Sequence, residues 1–540
     1  MQKILTAEEM REVDRLTTEK YGIPSILLME NAAHAAARVI TEKLGGSVAG
    51  KSFLILCGKG NNGGDGAALA RVLWSQGADV YIFLLGKTNE AKGDARVNFE
   101  ILKRIADEQQ LFFKEICNWT EYFAAYDKYF RKTEKFPETI IDAIFGTGLS
   151  RKLNDFYMVI ITEFYDFVAG GKLIVSLDLP TGLDADSATF YESGVSVSAH
   201  LTVTFTAPKL ANVLPRTLNY NGELVVANIG SPQELIDNSP SKLFLAEKED
   251  ARDWLEQTKF TSASYKNKRG HALVVGGAKN YAGAAILAGN AAIVSGVGLV
   301  TVAAPESVHN AIASRMLPEV MTRSVAETPN GAIAYEAVDE ILEFIEGKID
   351  AVAVGSGMSS SEESTRKFVR EFVEKRKTPV VIDADGLNSL APFDLQGSDE
   401  LPLILTPHEG EFLKLLGIQD KQAIKDRVKA ARDFAEKHQV ILVLKGERSL
   451  IAAPDGTVVV NPTGNSGLGK AGNGDTLTGI IAGFVAQAAQ MKIDIFETIV
   501  AAVYIAGMAG DIAAEKFGKR SMLASDVREC LSETFELIAK

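Results

Sequence analysis

The sequence predicts an α/β protein of two domains, each built on a mostly parallel sheet covered on both faces. Short apolar, β-branched runs recur along the chain without a polar alternate, as strands buried on both sides require. Each run passes through a glycine-rich turn into a segment of helical period, the alternation that parallel sheets need. The pattern occurs twice, on either side of the polar stretch Glu234–Lys268, which includes Asn238-Ser-Pro-Ser241 and lacks a long apolar run. This predicts domains at residues 1–240 and 241–540, and 540 residues supply enough material for two cores.

In chain order, Thr6 with Glu9 three residues on forms a capping-box pattern and opens a helix over Ala7–Lys20. A second helix, Ser25–Leu44, carries Glu30-Asn31, read as a solvated face. Strands are expected at Phe53–Cys57, Val80–Leu85, Thr139–Ile144, Leu173–Leu177 and Leu201–Phe205. The first runs into Gly58-Lys-Gly-Asn-Asn-Gly-Gly-Asp-Gly66 and then a helical segment, so backbone amides could approach an anion at the helix start. An aspartate capping a tight turn would read the same way at Asp65. Asp142 and Asp178 end two further strands, ahead of Gly146-Thr147-Gly148-Leu149 and Pro180-Thr181-Gly182. Ligands of open α/β sheets bind beyond the carboxyl ends of strands, so the three aspartates converge if their strands are neighbours. The sequence Gly45-Gly-Ser-Val-Ala-Gly-Lys-Ser52 matches a P-loop by letter only, because it follows a helix and precedes a strand.

In the second half, strands are expected at Ala272–Val275, Leu299–Ala303, Ala351–Val354, Val380–Ile382, Leu403–Leu405 and Val440–Leu444. The uncharged stretch from Asn280 to Pro305 contains asparagines and several glycines, so it reads as a packed helix and a strand rather than a bilayer span. Gly467-Leu-Gly-Lys-Ala-Gly-Asn-Gly-Asp475-Thr-Leu-Thr-Gly479 precedes a helix over Leu477–Gln490 and presents several amides to one anion. A carboxylate is out of place there unless it has a chemical task, which makes Asp475 a candidate base; a capping role is the alternative. Lys445-Gly446 at a strand end could clamp a nucleotide, and His408 could face a ligand or serve the fold. Of Asp383 and Asp385, the first is expected as a buried support and the second toward substrate.

Charge narrows the classes. Lys plus Arg total 57 against 70 Asp plus Glu, a net charge of −13 that argues against nucleic-acid and anionic-membrane partners. Cys57, Cys117 and Cys530 are odd in number and far apart, and the charged N-terminus lacks a signal peptide's apolar run, so a cytoplasmic protein is expected. Homo-oligomerisation is expected as well.

Taken together, GNNGGDG, DAIFGTGL and DLPTGLDAD resemble the NAD(P)H-hydrate epimerase domain across roughly residues 1–235. The resemblance implies a Rossmann-like three-layer sandwich that binds hydrated NADH or NADPH and a potassium ion. It places Asn61, Asn62, Gly63, Gly64 and Asp65 at the dinucleotide, along with Gly146, Thr147, Gly148, Leu149, Ser150, Arg151 and Lys152. Asp178 falls at the reacting ring as acid/base candidate, and Asn62, Asp142 and Thr181 on potassium-ligand positions, suitable because hard cations prefer such oxygens.

The later motifs VVGGAKNYAGAA, VAVGSGMS, VIDADGLN, TPHEGE, VLKGERS and GKAGNGDTLTG resemble the ADP-dependent NAD(P)H-hydrate dehydratases, a ribokinase-like α/β/α family, over about residues 250–535. By that resemblance Ala284, Gly357, His408 and Asp475 contact the hydrated dinucleotide. Lys445, Gly446, Glu447, Arg448 and Ser449 with Asn465, Ala471, Gly472, Asn473 and Gly474 hold ADP, used with Mg2+. Glu409, Ser449, Ser359, Asn473 and Thr476 depart from common family choices, but no chemically necessary group is missing. The implied function is repair: epimerisation of the R and S hydrates, then dehydration of the S form at the expense of ADP, giving AMP and phosphate. The alternatives are a ribokinase-type kinase of a small alcohol such as a vitamin precursor, which leaves the N-terminal half unexplained, and a dinucleotide-sensing protein without catalysis.

Overall fold

A computed structural model describes residues 1–108, 111–149, 152–187, 194–214 and 216–540. The chain forms two compact units, Lys3–Ser241 and Lys242–Lys540, the second including Met1–Gln2.

The N-terminal unit holds an all-parallel sheet in the order Phe112–Ile116, Asp79–Leu85, Ser52–Cys57, Thr139–Ala143, Leu173–Leu177, Leu201–Phe205, Glu223–Ala227. Alternation sorts each strand between two cores. Phe53, Ile55 and Cys57 face helices Ser25–Lys43 and Asn61–Ser75, whereas Leu54 and Leu56 pack with Tyr122, Phe130, Ile160 and Phe164 on the opposite face. Each such large apolar side chain stabilises the fold by about 1.5–3 kcal/mol when fully buried. From Ser52–Cys57 the chain moves outward through two strands and returns to the other side as Thr139–Ala143. That reversal opens a crevice at the carboxyl ends of the two strands.

In the C-terminal unit the strands run Leu243–Leu245, Val458–Val460, Leu450–Ala452, Ile441–Leu444, Leu403–Leu405, Val380–Ile382, Ala351–Val354, His271–Val275, Leu299–Pro305, Met321–Val325. The same reversal lies between His271–Val275 and Ala351–Val354. The pair Leu450–Ala452 and Val458–Val460 is antiparallel, which the sequence reading did not foresee. Two reversals restore the original direction, so the segment after Val460 leaves at the same edge as the loop after Leu444. This delivers the glycine-rich segment to the carboxyl edge.

The uncharged stretch is helix Ala282–Val294 followed by strand Leu299–Pro305. Its alanines admit a close neighbour, helix Asn473–Met491, where a Cβ on Gly479 would sit 2.1 Å from the Ala288 carbonyl oxygen. Helix Ile495–Phe517 is long and apolar enough to cross a bilayer by composition, yet Ile499, Ala502, Ile505 and Ala509 are fully buried in the core. The polar stretch Glu234–Lys268 contains the division between the units, at Ser241–Lys242, close to the boundary expected at residue 240. It holds strand Leu243–Leu245 and helix Lys248–Gln257, whose Trp254 stacks on Phe484 with ring centroids 3.8 Å apart. A single aromatic anchors that helix, too sparse a signal for periodicity to register. Replacing it, Trp254→Ala, is expected to destabilise the C-terminal unit by about 3–5 kcal/mol, measurable as a lower denaturant midpoint with the N-terminal transition unmoved.

Candidate active sites

In the N-terminal unit the three aspartates come together because Ser52–Cys57, Thr139–Ala143 and Leu173–Leu177 are adjacent parallel strands. Asn61, Asn62, Gly63, Gly64 and Asp65 form the first turn of helix Asn61–Ser75, where amide groups lack intrahelical acceptors. Gly63 is required by packing: a Cβ there would lie 1.8 Å from the Gly58 carbonyl oxygen. Gly146, Thr147, Gly148 and Leu149 follow the neighbouring strand as a turn closed by Leu149 N–H donating to Gly146 O at 3.2 Å. Lys152 is exposed, and Ser150 and Arg151 lie outside the described residues.

Asp142 is fully buried and accepts from the Thr181 hydroxyl at 2.6 Å, the Thr181 amide at 2.8 Å and the Ser176 hydroxyl at 2.8 Å. Burial raises its pKa, and those hydrogen bonds offset part of the rise. Asn62 is 8% exposed, and neither its side-chain oxygen nor its nitrogen has a partner. An orphaned amide of this kind costs about 1–3 kcal/mol and marks a place where a ligand atom is wanted. With the oxygens of Asp142 and Thr181, the donor set fits a hard cation.

Asp178 sits in the left-handed region at φ 66°, a strained conformation for a residue with a Cβ. Its Oδ2 accepts from the Thr147 amide at 3.0 Å, and Oδ1 accepts from Lys209 Nζ at 2.6 Å and the Thr204 hydroxyl at 3.3 Å. Sequence reasoning missed Lys209. A cation soon after strand Leu201–Phe205, beside the Asp178 strand, was the available signal. It also missed Asp14 on helix Ala7–Tyr21, an acid among the buried Met10, Val13 and Thr17. Burial pushes the Asp14 carboxyl up to about 6, with Lys209 offsetting and Asp178 adding to the rise. Asp65 rises well above the usual range, through burial and then the charges of Asp178 and Asp14.

In the C-terminal unit, Ala284, Gly357 and His408, with the Asp383 and Lys445 segments, follow the carboxyl ends of His271–Val275, Ala351–Val354, Leu403–Leu405, Val380–Ile382 and Ile441–Leu444, adjacent parallel strands. Gly357 lies against Ala284, whose Cβ is 2.9 Å from where a Gly357 Cβ would project. His408 caps helix Glu409–Leu416, its Nδ1 accepting from the Gly410 and Glu411 amides, while the ring stays exposed. Glu409 lies 3.2 Å from the Arg427 guanidinium as an ion pair.

Asp383 is buried and accepts from Lys445 Nζ at 2.8 Å, Thr406 Oγ1 at 2.8 Å and Thr478 Oγ1 at 2.9 Å. Burial alone would raise its pKa, but Lys445 and the two hydroxyls more than offset this and hold it below the usual carboxylate range. Lys445 therefore points inward under the helix start, 3.4 Å from where a Gly474 Cβ would project, rather than outward as a free clamp. Asp385 accepts from the Ser359 amide at 2.9 Å on one oxygen and from the Ser360 hydroxyl at 2.9 Å on the other. Helix Asn473–Met491 starts four residues earlier than the periodicity predicts, because Gly472 at φ 93° supplies the entry turn. Asp475 is its third residue, and burial followed by the Asp383 charge raises it to about 6. Gly446 and Glu447 are exposed; Arg448 and Ser449 are half-buried, and Arg448 donates to the Pro462 carbonyl. Asn465 bonds Asp511 and the Gly510 carbonyl, and Asn473 bonds the Leu468 carbonyl, so both brace the loop that carries Ala471 and Gly472.

Residues 25–211 match the family model described as YjeF-related protein N-terminus, and residues 272–533 the model described as NAD(P)H-hydrate dehydratase. The chain is 38% identical to the bifunctional NAD(P)H-hydrate repair enzyme of Moorella thermoacetica, covering 98% of this chain and 96% of that one. It is 33% identical to the same enzyme of Thermofilum pendens, covering 96% and 93%. Among solved structures, an ADP/ATP-dependent NAD(P)H-hydrate dehydratase of Bacillus subtilis, co-crystallised with ATP and Mg2+, is similar at 30% identity. That likeness covers 55% of this chain and 98% of the other, with a TM-score of 0.48.

A raised carboxyl pKa means that ionising Asp475 costs stability: its contribution is fully present below the unfolded pKa and is lost as pH rises through about 6. Asp475→Asn should therefore stabilise the C-terminal unit relative to the parent by about 1–2 kcal/mol at pH 8, and the gain should vanish near pH 4 in thermal melts.

Proposed function

This chain belongs to the family of bifunctional NAD(P)H-hydrate repair enzymes, and on that premise we propose which of its residues carry each half of the reaction. The chain epimerises the R and S forms of hydrated NADH and NADPH and dehydrates the S form to NAD(P)H at the expense of ADP, giving AMP and phosphate. The kinase alternative is set aside because full-length relatives account for both halves.

The observation that carries the assignment is an aspartate beside a glycine-rich turn at the carboxyl edge of each sheet. In the C-terminal unit, Asp475, with its pKa near 6, takes the proton of the ring hydroxyl as that oxygen attacks the β-phosphorus of ADP and AMP leaves. The first-turn amides beside Gly472–Gly474 face the transferring charge, and Lys445 beneath them adds a fixed positive one. The ring nitrogen then expels phosphate, a proton leaves the adjacent ring carbon, and the double bond returns. Lys445–Ser449 and the loop of Asn465, Ala471, Gly472, Asn473 and Gly474 hold the nucleotide; Ala284, Gly357 and His408 hold the hydrate. Bound with the nucleotide, Mg2+ would neutralise phosphate charge.

In the N-terminal unit Asp178 is the acid/base group, with Asn61–Asp65 and the segment from Gly146 to Lys152 around the dinucleotide. Asn62, Asp142 and Thr181 would hold potassium, a fixed charge beside the first glycine turn, and the orphaned Asn62 amide supports that reading. Three free cysteines support a reducing, cytoplasmic setting.

Asp475→Asn is expected to slow recovery of dihydronicotinamide absorbance from the pure S form by roughly 10²–10⁴-fold, with R/S interconversion on chromatography unchanged. Asp178→Asn should do the reverse; equal loss of both activities in folded variants would sink the division of labour. For the cation, adding potassium should raise the melting temperature of the N-terminal unit of the parent and not of Asn62→Ala.

A further inference from the structure

Lys209 is 1% exposed, and burying an ammonium costs several kcal/mol unless it is paired and hydrogen-bonded. Its three N–H groups donate to Asp178 Oδ1 at 2.6 Å, Thr204 Oγ1 at 2.9 Å and the Phe205 carbonyl at 3.0 Å. An ammonium has three donors, so none remains for substrate. The backbone around it is braced too: Lys209 N–H donates to Asn212 Oδ1, and the Asn212 amide donates to Asn221 Oδ1 and the Asp178 carbonyl. Both neighbouring strand ends break off through left-handed residues, Asp178 at φ 66° and Thr206 at φ 67°. Among the described residues, the other charges facing this pair are carboxyls, Asp65 on helix Asn61–Ser75 and Asp14 on helix Ala7–Tyr21. Asp14 Oδ1 is buried without a hydrogen-bond partner. Among the described residues, three carboxyl groups thus share one cation.

We propose that Lys209 is a positioning residue of the epimerase centre: it aims the Asp178 carboxylate, and through the neighbouring Asp14 the centre extends to the N-terminal helix. Asp14 lies outside the matched span of residues 25–211, which gives this helix no assigned part. The proposal rests on Asp178 as the acid/base group. Removing the ammonium takes a cation and the shortest hydrogen bond from the Asp178 carboxylate, and removing the Asp14 charge lessens the repulsion within the acidic cluster.

The test uses the full chain, which carries its own control. Epimerisation is followed from the pure R form, and dehydration of the pure S form counts folded enzyme. Lys209→Met should lower the kcat for epimerisation by roughly 10²-fold or more, change KM little, and move the acid limb of the rate–pH profile to higher pH. Lys209→Arg should recover much of the rate, and Asp14→Asn should move the acid limb the opposite way. A Lys209→Met enzyme with the parental rate and profile, or an Asp14→Asn profile that does not move, overturns the proposal. Failure of the underlying reading looks different: Asp178→Asn would then keep its epimerisation.

Discussion

A buried lysine–aspartate pair at the carboxyl edge of a parallel sheet organises each half of this chain. Lys209 meets Asp178 at 2.6 Å, and Lys445 meets Asp383 at 2.8 Å. Such pairs are weak sources of stability, because desolvation consumes most of the Coulomb gain. What they supply is position. Each pair ties together the ends of separate strands, with hydroxyl groups filling the remaining bonds: Thr204 in one, Thr406 and Thr478 in the other.

The two pairs serve opposite ends of the proton chemistry. In the C-terminal unit the paired aspartate is the support, held ionised by its lysine, and its charge helps to raise Asp475 above it. Two carboxyl groups pushed apart in this way divide into a permanent anion and a group able to exchange a proton near neutrality. In the N-terminal unit the paired aspartate itself faces the glycine turn through the Thr147 amide, and Asp65 and Asp14 take the raised values.

Much of this was legible along the chain because its causes are local. Strands such as Val380–Ile382 and Leu403–Leu405 are continuous apolar runs buried on both faces, and they stand where the pattern puts them. The short strands Val458–Val460 and Leu450–Ala452 escaped the reading, and their antiparallel pairing with it. Asp383 is the buried support expected of it, under a helix start, whereas its partners Lys445 and Thr478 could not be read from the local sequence.

By itself the sequence determined the two-sheet architecture, the glycine turns at strand ends and the aspartates that follow them, since backbone freedom and apolar period act over a few residues. Tertiary structure alone decided that Lys209 belongs to Asp178, that Lys445 turns inward to Asp383, and that Asp14 joins the first cluster. Those partners lie 31, 62 and more than 150 residues apart. Only the order of strands in each sheet, and the desolvation that follows from it, brings their charges within reach of one another.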